Sequence, residues 1–110
     1  MANAFKNKTQ RQIGTSLTAI ESYTVGGSTE TTVIGLTIAN TTTVAIEVDA
    51  TLNDGTNDFY IVKNAPVPAG GALVAVGGDQ KVVMMPGDSI KVKSDTATSA
   101  DVIMSILEIT

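Results

Sequence analysis

All three prolines of this chain fall between residues 66 and 86, and each is set in a turn signal: Asn64-Ala65-Pro66-Val67-Pro68-Ala69-Gly70-Gly71 and Pro86-Gly87-Asp88-Ser89. A proline donates no backbone hydrogen bond, so neither stretch can run through a helix interior or a central strand. What lies between them must be short, extended and sharply turned. The apolar Ala72–Val76 segment reads as a strand, Gly77-Gly78-Asp79 as a turn, and residues 81–85 as the next strand, ending at Pro86-Gly87. Proline second and glycine third predict a type II turn there. Residues 89–95 then alternate, with Ile90 and Val92 inward and Lys91 and Lys93 outward, where lysines discourage edge-to-edge pairing if this is a sheet edge.

The same two-residue period extends upstream. Threonine and valine dominate while good helix formers are sparse, which favours a pleated surface over a helix. Ile34, Leu36 and Ile38 alternate with Val33, Gly35, Thr37 and Ala39. Val44, Ile46, Val48, Ala50 and Leu52 oppose Ala45, Glu47, Asp49, Thr51 and Asn53, giving one dry face and one wet face. The short polar link Asn40-Thr41-Thr42-Thr43 predicts that these two strands pair as a hairpin. Asn53-Asp54-Gly55-Thr56-Asn57-Asp58 is the following turn, leading into a strand over residues 59–63.

The ends of the chain are less regular. In the last segment both alternating faces are apolar: Ile103, Leu107 and Ile109 on one, Val102, Met104 and Ile106 on the other. Such a strand is central in a sandwich, or its second face meets another subunit. Residues 15–23 alternate moderately, with Leu17 and Ala19 against Thr18 and Ile20, and Gly26-Gly27-Ser28 is the next turn. Residues 1–14 carry few apolar anchors and read as an N-terminal arm lying on a neighbouring subunit, with Phe5 as its anchor. The sum is a single all-β domain over residues 1–110, an antiparallel β-sandwich or small barrel of about eight strands with a less regular N-terminal arm, and no helix longer than one turn.

Composition narrows the chemistry. The chain has no cysteine, histidine or tryptophan. Disulfides, zinc clusters and thiol nucleophiles are thereby removed, together with the commonest general base near neutral pH, so no catalysis, cofactor or metal is expected. The net charge is −4, and the seven basic residues form no block, although Lys6, Lys8 and Arg11 cluster near the start. Nucleic-acid binding is not expected from that pattern, nor is a membrane partner, since no apolar run approaches the ~20 residues of a membrane span. The start of the sequence does not read as a signal peptide, which places synthesis in the cytoplasm. Asn7-Lys8-Thr9 and Asn40-Thr41-Thr42 match the glycosylation sequon and read as coincidence. The acids around Asp54 and Asp58 lack the spacing of a calcium loop, and the glycine pairs lack the lysine of a phosphate loop. Glu47 and Asp49 read as solvated side chains on the wet face. Recognition is better served by Met84-Met85, whose flexible thioethers adapt to varied apolar surfaces, and by Phe59 and Tyr60, which must split across two faces.

The run Tyr60-Ile61-Val62-Lys63-Asn64-Ala65-Pro66-Val67-Pro68-Ala69-Gly70-Gly71, followed by Val76-Gly77-Gly78-Asp79-Gln80-Lys81-Val82-Val83, Pro86-Gly87-Asp88-Ser89-Ile90-Lys91-Val92 and Ile106-Leu107-Glu108-Ile109, resembles small virion structural proteins of tailed phages, notably marine and cyanobacterial ones. The resemblance spans roughly residues 33–110. It implies a non-catalytic β-sandwich of the particle. From there the expectation is a capsid decoration or cement protein that binds the major capsid protein or other virion proteins, as a trimer or other small homo-oligomer. A neck, tail or fibre-base component is the alternative, and a carbohydrate-binding module a third reading. The candidate interface residues are Phe5, Phe59, Tyr60, Pro66, Pro68, Met84, Met85, Val102, Met104 and Ile106.

Overall fold

The computed structural model describes residues 3–77 and 79–110. Nine strands account for most of them: β1 (Asn3–Ile13), β2 (Thr18–Ala19), β3 (Glu30–Asn40), β4 (Ile46–Asn53), β5 (Asp58–Val67), β6 (Ala72–Val76), β7 (Val82–Met84), β8 (Ser89–Ser94) and β9 (Ala100–Ile109). A 3-10 turn over Ile20–Ser22 is the one helical element among the described residues. One antiparallel sheet runs β1-β9-β3-β6, with β7 also on β3, and the other runs β2-β8-β4-β5. Between them lies a core to which the first sheet gives Val33, Leu36, Ile38, Met104 and Ile106, and the second Ile46, Val48, Ile90 and Val92. The expected all-β sandwich is therefore the fold. Its chain path changes sheet repeatedly, in the manner of a double-sheet jelly roll.

That path overturns the hairpin expected between β3 and β4, which belong to different sheets. Asn40 explains why four polar residues cross the sandwich here. Its side chain is buried, and its Nδ2 donates to the carbonyls of Val44 at 2.7 Å, Val67 at 3.1 Å and Pro68 at 3.2 Å. Its Oδ1 accepts from the Thr42 backbone N–H at 2.9 Å and the Thr42 hydroxyl at 2.8 Å. One amide thus satisfies the backbone groups that a buried corner would otherwise leave unpaired. It also occupies the Nδ2 that the sequon would need free.

Bulges rephase two of the expected alternations. The β3–β9 register shifts between Val33 and Gly35. Val33 therefore joins Leu36 and Ile38 in the core, while Ile34 turns outward and is only half-buried. In β4 the register with β5 shifts on either side of Ala50. Asp49 turns into that irregularity, where its Oδ1 accepts the Asn64 N–H at 2.7 Å and Lys93 Nζ lies 3.8 Å from Oδ2. Asp49 is 5% exposed. It serves the backbone of β5 and is not the solvated side chain expected of it.

The segment Asn3–Ile13, read from the sequence as an arm, pairs within its own chain, from Asn3 opposite Ile109 to Ile13 opposite Ala100. Scarce apolar side chains misled that reading because a strand is held first by its backbone, and β9 has a second edge to fill. Ile13, 2% exposed, is the segment's buried anchor. Lys6 pairs with Glu108 at 2.8 Å, and the Thr9 N–H donates to Glu21 Oε2 at 2.8 Å. Met1 and Ala2 of the expected arm lie outside the described residues.

β6 and β7 also differ from expectation. Both pair antiparallel with β3, β6 along residues 36–39 and β7 along residues 31–33, so they form one interrupted edge strand. Of the expected Gly77-Gly78-Asp79 turn, Gly78 lies outside the described residues. The next turn is as expected: Gly87 has φ +91°, and the Asp88 N–H donates to the Met85 carbonyl at 3.0 Å, a type II geometry.

Candidate interaction surface

The two outer faces of the sandwich differ in chemistry. On the β2-β8-β4-β5 sheet, register places Lys91 beside the buried Thr51, Lys93 beside the buried Asp49, and the exposed Glu47 beside Pro66, a surface that carries charged side chains. On the other sheet, residues in register share a face, and alternate residues along each strand share it too. One row across the outer face is Phe5, Leu107, Thr32 and Val83. Another, farther along the strands, is Thr9, Ile103, Thr37 and Val74. Asn7, Ser105 and Gly35 lie between, next to the outward-turned Ile34. Among the described strand residues the charged ones of this face stand at its ends: Glu30 in register with Ile109, and Asp101 in register with Ala39 beside Arg11.

This face is apolar and uncovered. Phe5 is 77% exposed, Val74 64%, Val83 59% and Ile103 56%. Isoleucine, valine and threonine on a pleated surface are what the inner faces of sandwiches are made of, and here nothing among the described residues covers them. A shallow groove lined by Phe5, Lys6, Asn7, Ile34, Ser105 and Ile106 indents the face.

The structure separates the candidate interface residues. Met84, Val102, Met104 and Ile106 are at most 1% exposed and belong to the core, so the surface-facing half of β9 is the Ile103 side. Phe5 lies on the apolar outer face. Phe59 and Tyr60, 53% and 48% exposed, stand at one end of β5, where Lys63 Nζ lies 4.6 Å from the Tyr60 ring centre. Met85, 49% exposed, is in the turn before β8, near that same end because Asn53 is in register with both Asp58 and Ser89. Pro66 and Pro68 are exposed at the opposite end of β5. Reading the sequence missed Val74, Val83 and Ile34. The signal was available for the first two: Ala72–Val76 and Val82–Met84 are apolar at successive positions, which puts apolar side chains on both faces.

Two polar clusters complete the surface. In the β4–β5 turn the Asp54 carboxylate accepts the N–H groups of Asn57 at 2.8 Å and Thr56 at 3.0 Å, which hold its pKa below the ordinary value. Asn53 Oδ1 accepts the Gly55 N–H at 2.8 Å. These oxygens close a hairpin. At the end of the sandwich the Tyr23 hydroxyl donates to Glu108 Oε2 at 2.6 Å and contacts the Thr31 hydroxyl at 2.9 Å. Lys6 holds the other oxygen of Glu108, and Lys8 Nζ lies 4.9 Å from the Tyr23 ring centre. Lys6 and the Tyr23 hydroxyl lower the Glu108 pKa, whereas burial and the Glu108 carboxylate raise that of Tyr23. The cluster ties β1, β3 and β9 to the segment after the 3-10 turn.

No family model matches the chain, and no curated protein matches it by sequence. Solved structures share its fold. A chain from disulfide-linked pili, the endospore appendages of Bacillus, superposes with a TM-score of 0.57 at 10% identity, covering 99% of this chain and 87% of that one. A chain from the acid-stable capsid of Helicobacter pylori bacteriophage KHP30 superposes with a TM-score of 0.57 at 8% identity, covering 100% of this chain and 94% of that one. At such identities the likeness establishes a common β-sandwich architecture over essentially the whole domain.

Proposed function

We propose that this protein is a non-enzymatic structural component of a phage particle, and that it decorates the capsid, stabilising the head lattice as a cement protein. The observation that carries the reading is the uncovered apolar outer face of the β1-β9-β3-β6 sheet, on a domain that matches a phage capsid chain from end to end. Exposed apolar area on this scale marks an association surface. The pilus likeness offers a second kind of assembly, but disulfide linkage is closed to a sequence without cysteine.

Stabilisation follows from linkage. A protein that binds the assembled lattice and not its separated subunits adds its binding free energy to the assembled state. Quantitative mass spectrometry of purified source-phage particles, against the major capsid protein, tests the placement. Hundreds of copies per particle are expected. A dozen or so would move the protein to the neck, tail or fibre base, and its absence would end the virion reading. Heating particles with and without the protein tests the cement role, which equal rupture temperatures would remove.

A further inference from the structure

We propose that the partner of the apolar outer face is the same face of a second copy of this chain, so that the unit presented to the lattice is a face-to-face dimer. The inference deepens the reading above, since it names the occupant of the surface on which that reading rests.

Charge is the first argument. Two bodies of net charge −4 repel, and desolvating like charges against each other is costly. The other outer face carries Glu47, Lys91 and Lys93. Among the described strand residues of the apolar face the central rows are uncharged, with Glu30, Asp101 and Arg11 at its two ends, and Lys81 stands at its rim just before β7. Two copies can meet there without burying a charge.

The sheet edges give the second argument. β1 carries Lys6, Lys8 and Arg11, and Glu21 already takes the outward N–H of Thr9. The opposite edge is interrupted between β6 and β7, β5 contains Pro66, and β2 is two residues long. Each is a device that discourages strand addition, which leaves faces as the route to assembly.

Closure and area supply the third. One flat face is buried completely by one other flat face, and a two-fold pair achieves this with a single self-complementary surface, whereas a ring of three needs two different ones. Four strand positions spaced by ~4.8 Å, over about eight residues of ~3.4 Å rise, give on the order of 500 Å² per copy. The total of about 1,000 Å² is at the lower bound for a specific interface and predicts a reversible dimer. Phe59, Tyr60, Met85, Pro66 and Pro68 lie on the other sheet or at its ends, free to meet the lattice while the dimer holds.

Analytical ultracentrifugation of the full chain over about 1–500 μM, in low and high salt, tests the inference at the concentrations where micromolar association shows. A monomer–dimer equilibrium that salt does not weaken is expected. Ile103→Lys, on the inner strand β9, should weaken it by about 100-fold or more, and Val74→Lys, at the β6 edge of the face, by less. Ile103→Thr, which keeps a β-branched residue, should weaken it less, and Glu47→Lys on the charged face should leave it intact; circular dichroism checks the fold of each variant. A monomer throughout, a trimer, or a dimer indifferent to both introduced lysines overturns the proposal. A monomeric protein whose Ile103→Lys variant no longer binds stripped capsids would assign the face to the lattice protein, overturning the second copy while keeping the decoration reading. A dimer that is absent from purified particles would do the reverse.

Discussion

Replacing Asn40 tests the corner that sends the chain from one sheet to the other. Its amide nitrogen contacts three carbonyls within 3.2 Å but has only two hydrogens, so two of these bonds share one proton. In Asn40→Ala the Thr42 groups and the Val44 carbonyl, near the surface, can turn to water at small cost. The Val67 carbonyl is in a buried bond and cannot. Leaving it unpaired costs about 1–3 kcal/mol, and the lost net contribution of the other bonds adds about 1 kcal/mol. The expected destabilisation is therefore about 3 kcal/mol, a urea midpoint lowered by roughly 1–3 M with an unchanged slope. Asn40→Asp is the sharper variant. It is nearly isosteric but turns an acceptor toward three carbonyl oxygens, so at neutral pH it should be at least as unstable as the alanine variant. A loss below about 1 kcal/mol for alanine, or wild-type stability for aspartate, would refute the role assigned to this residue.

Other expectations follow from the same geometry. Because the Glu108 pKa is lowered, its carboxylate adds stability that is fully present above the ordinary value of 4.5 and is lost as pH falls through the lowered one; Glu108→Gln should flatten the acid limb of a stability–pH curve. Tyr23 is shifted upward, so its contribution is present below its ordinary 10.0 and disappears as pH rises through the raised value, a loss that Tyr23→Phe should abolish in alkaline unfolding. Gly87→Ala places a side chain at φ +91° with no atom near its Cβ, so its cost should be the backbone term alone, about 1 kcal/mol, read from thermal unfolding. In β1 the Thr9 N–H points at Glu21, away from β9, so its odd-numbered neighbours face outward too. Hydrogen exchange should then be slow at Lys6 and Lys8 and fast at Phe5 and Asn7; uniformly fast exchange would mean that this segment is not held by β9.

The fold class was legible because turn chemistry and two-residue alternation are local. Pro86-Gly87, the β4–β5 turn and the inward Ile90 and Val92 are where local reading puts them. Alternation says which side of a strand is dry and nothing about which sheet the strand joins. That is why β3 and β4 read locally as a hairpin: the crossing depends on the contacts of Asn40 with Val67 and Pro68, 27 and 28 residues away. The bulge at Ile34 was hidden for a related reason, since the extra residue is itself apolar and the pattern reads smoothly through it. Along β9 both faces are apolar, so sequence could find the strand but not choose between Met104 and Ile103 as the outward residue; only the position of the second sheet decides.

The position of β9 also bears on how the molecule comes into being. It is the last of the nine strands, yet it lies in the middle of its sheet, with β1 on one side and β3 on the other. β1 and β3 have no pairing with each other, so while a nascent chain is shorter than residue 100 each waits with an open edge. Closing the sheet joins residues about a hundred positions apart, as Asn3 and Ile109 are, a loop whose entropy must be met before its contacts return anything. Refolding on the millisecond-to-second scale typical of such non-local β topologies follows, with the emergence of β9 as the event that releases it.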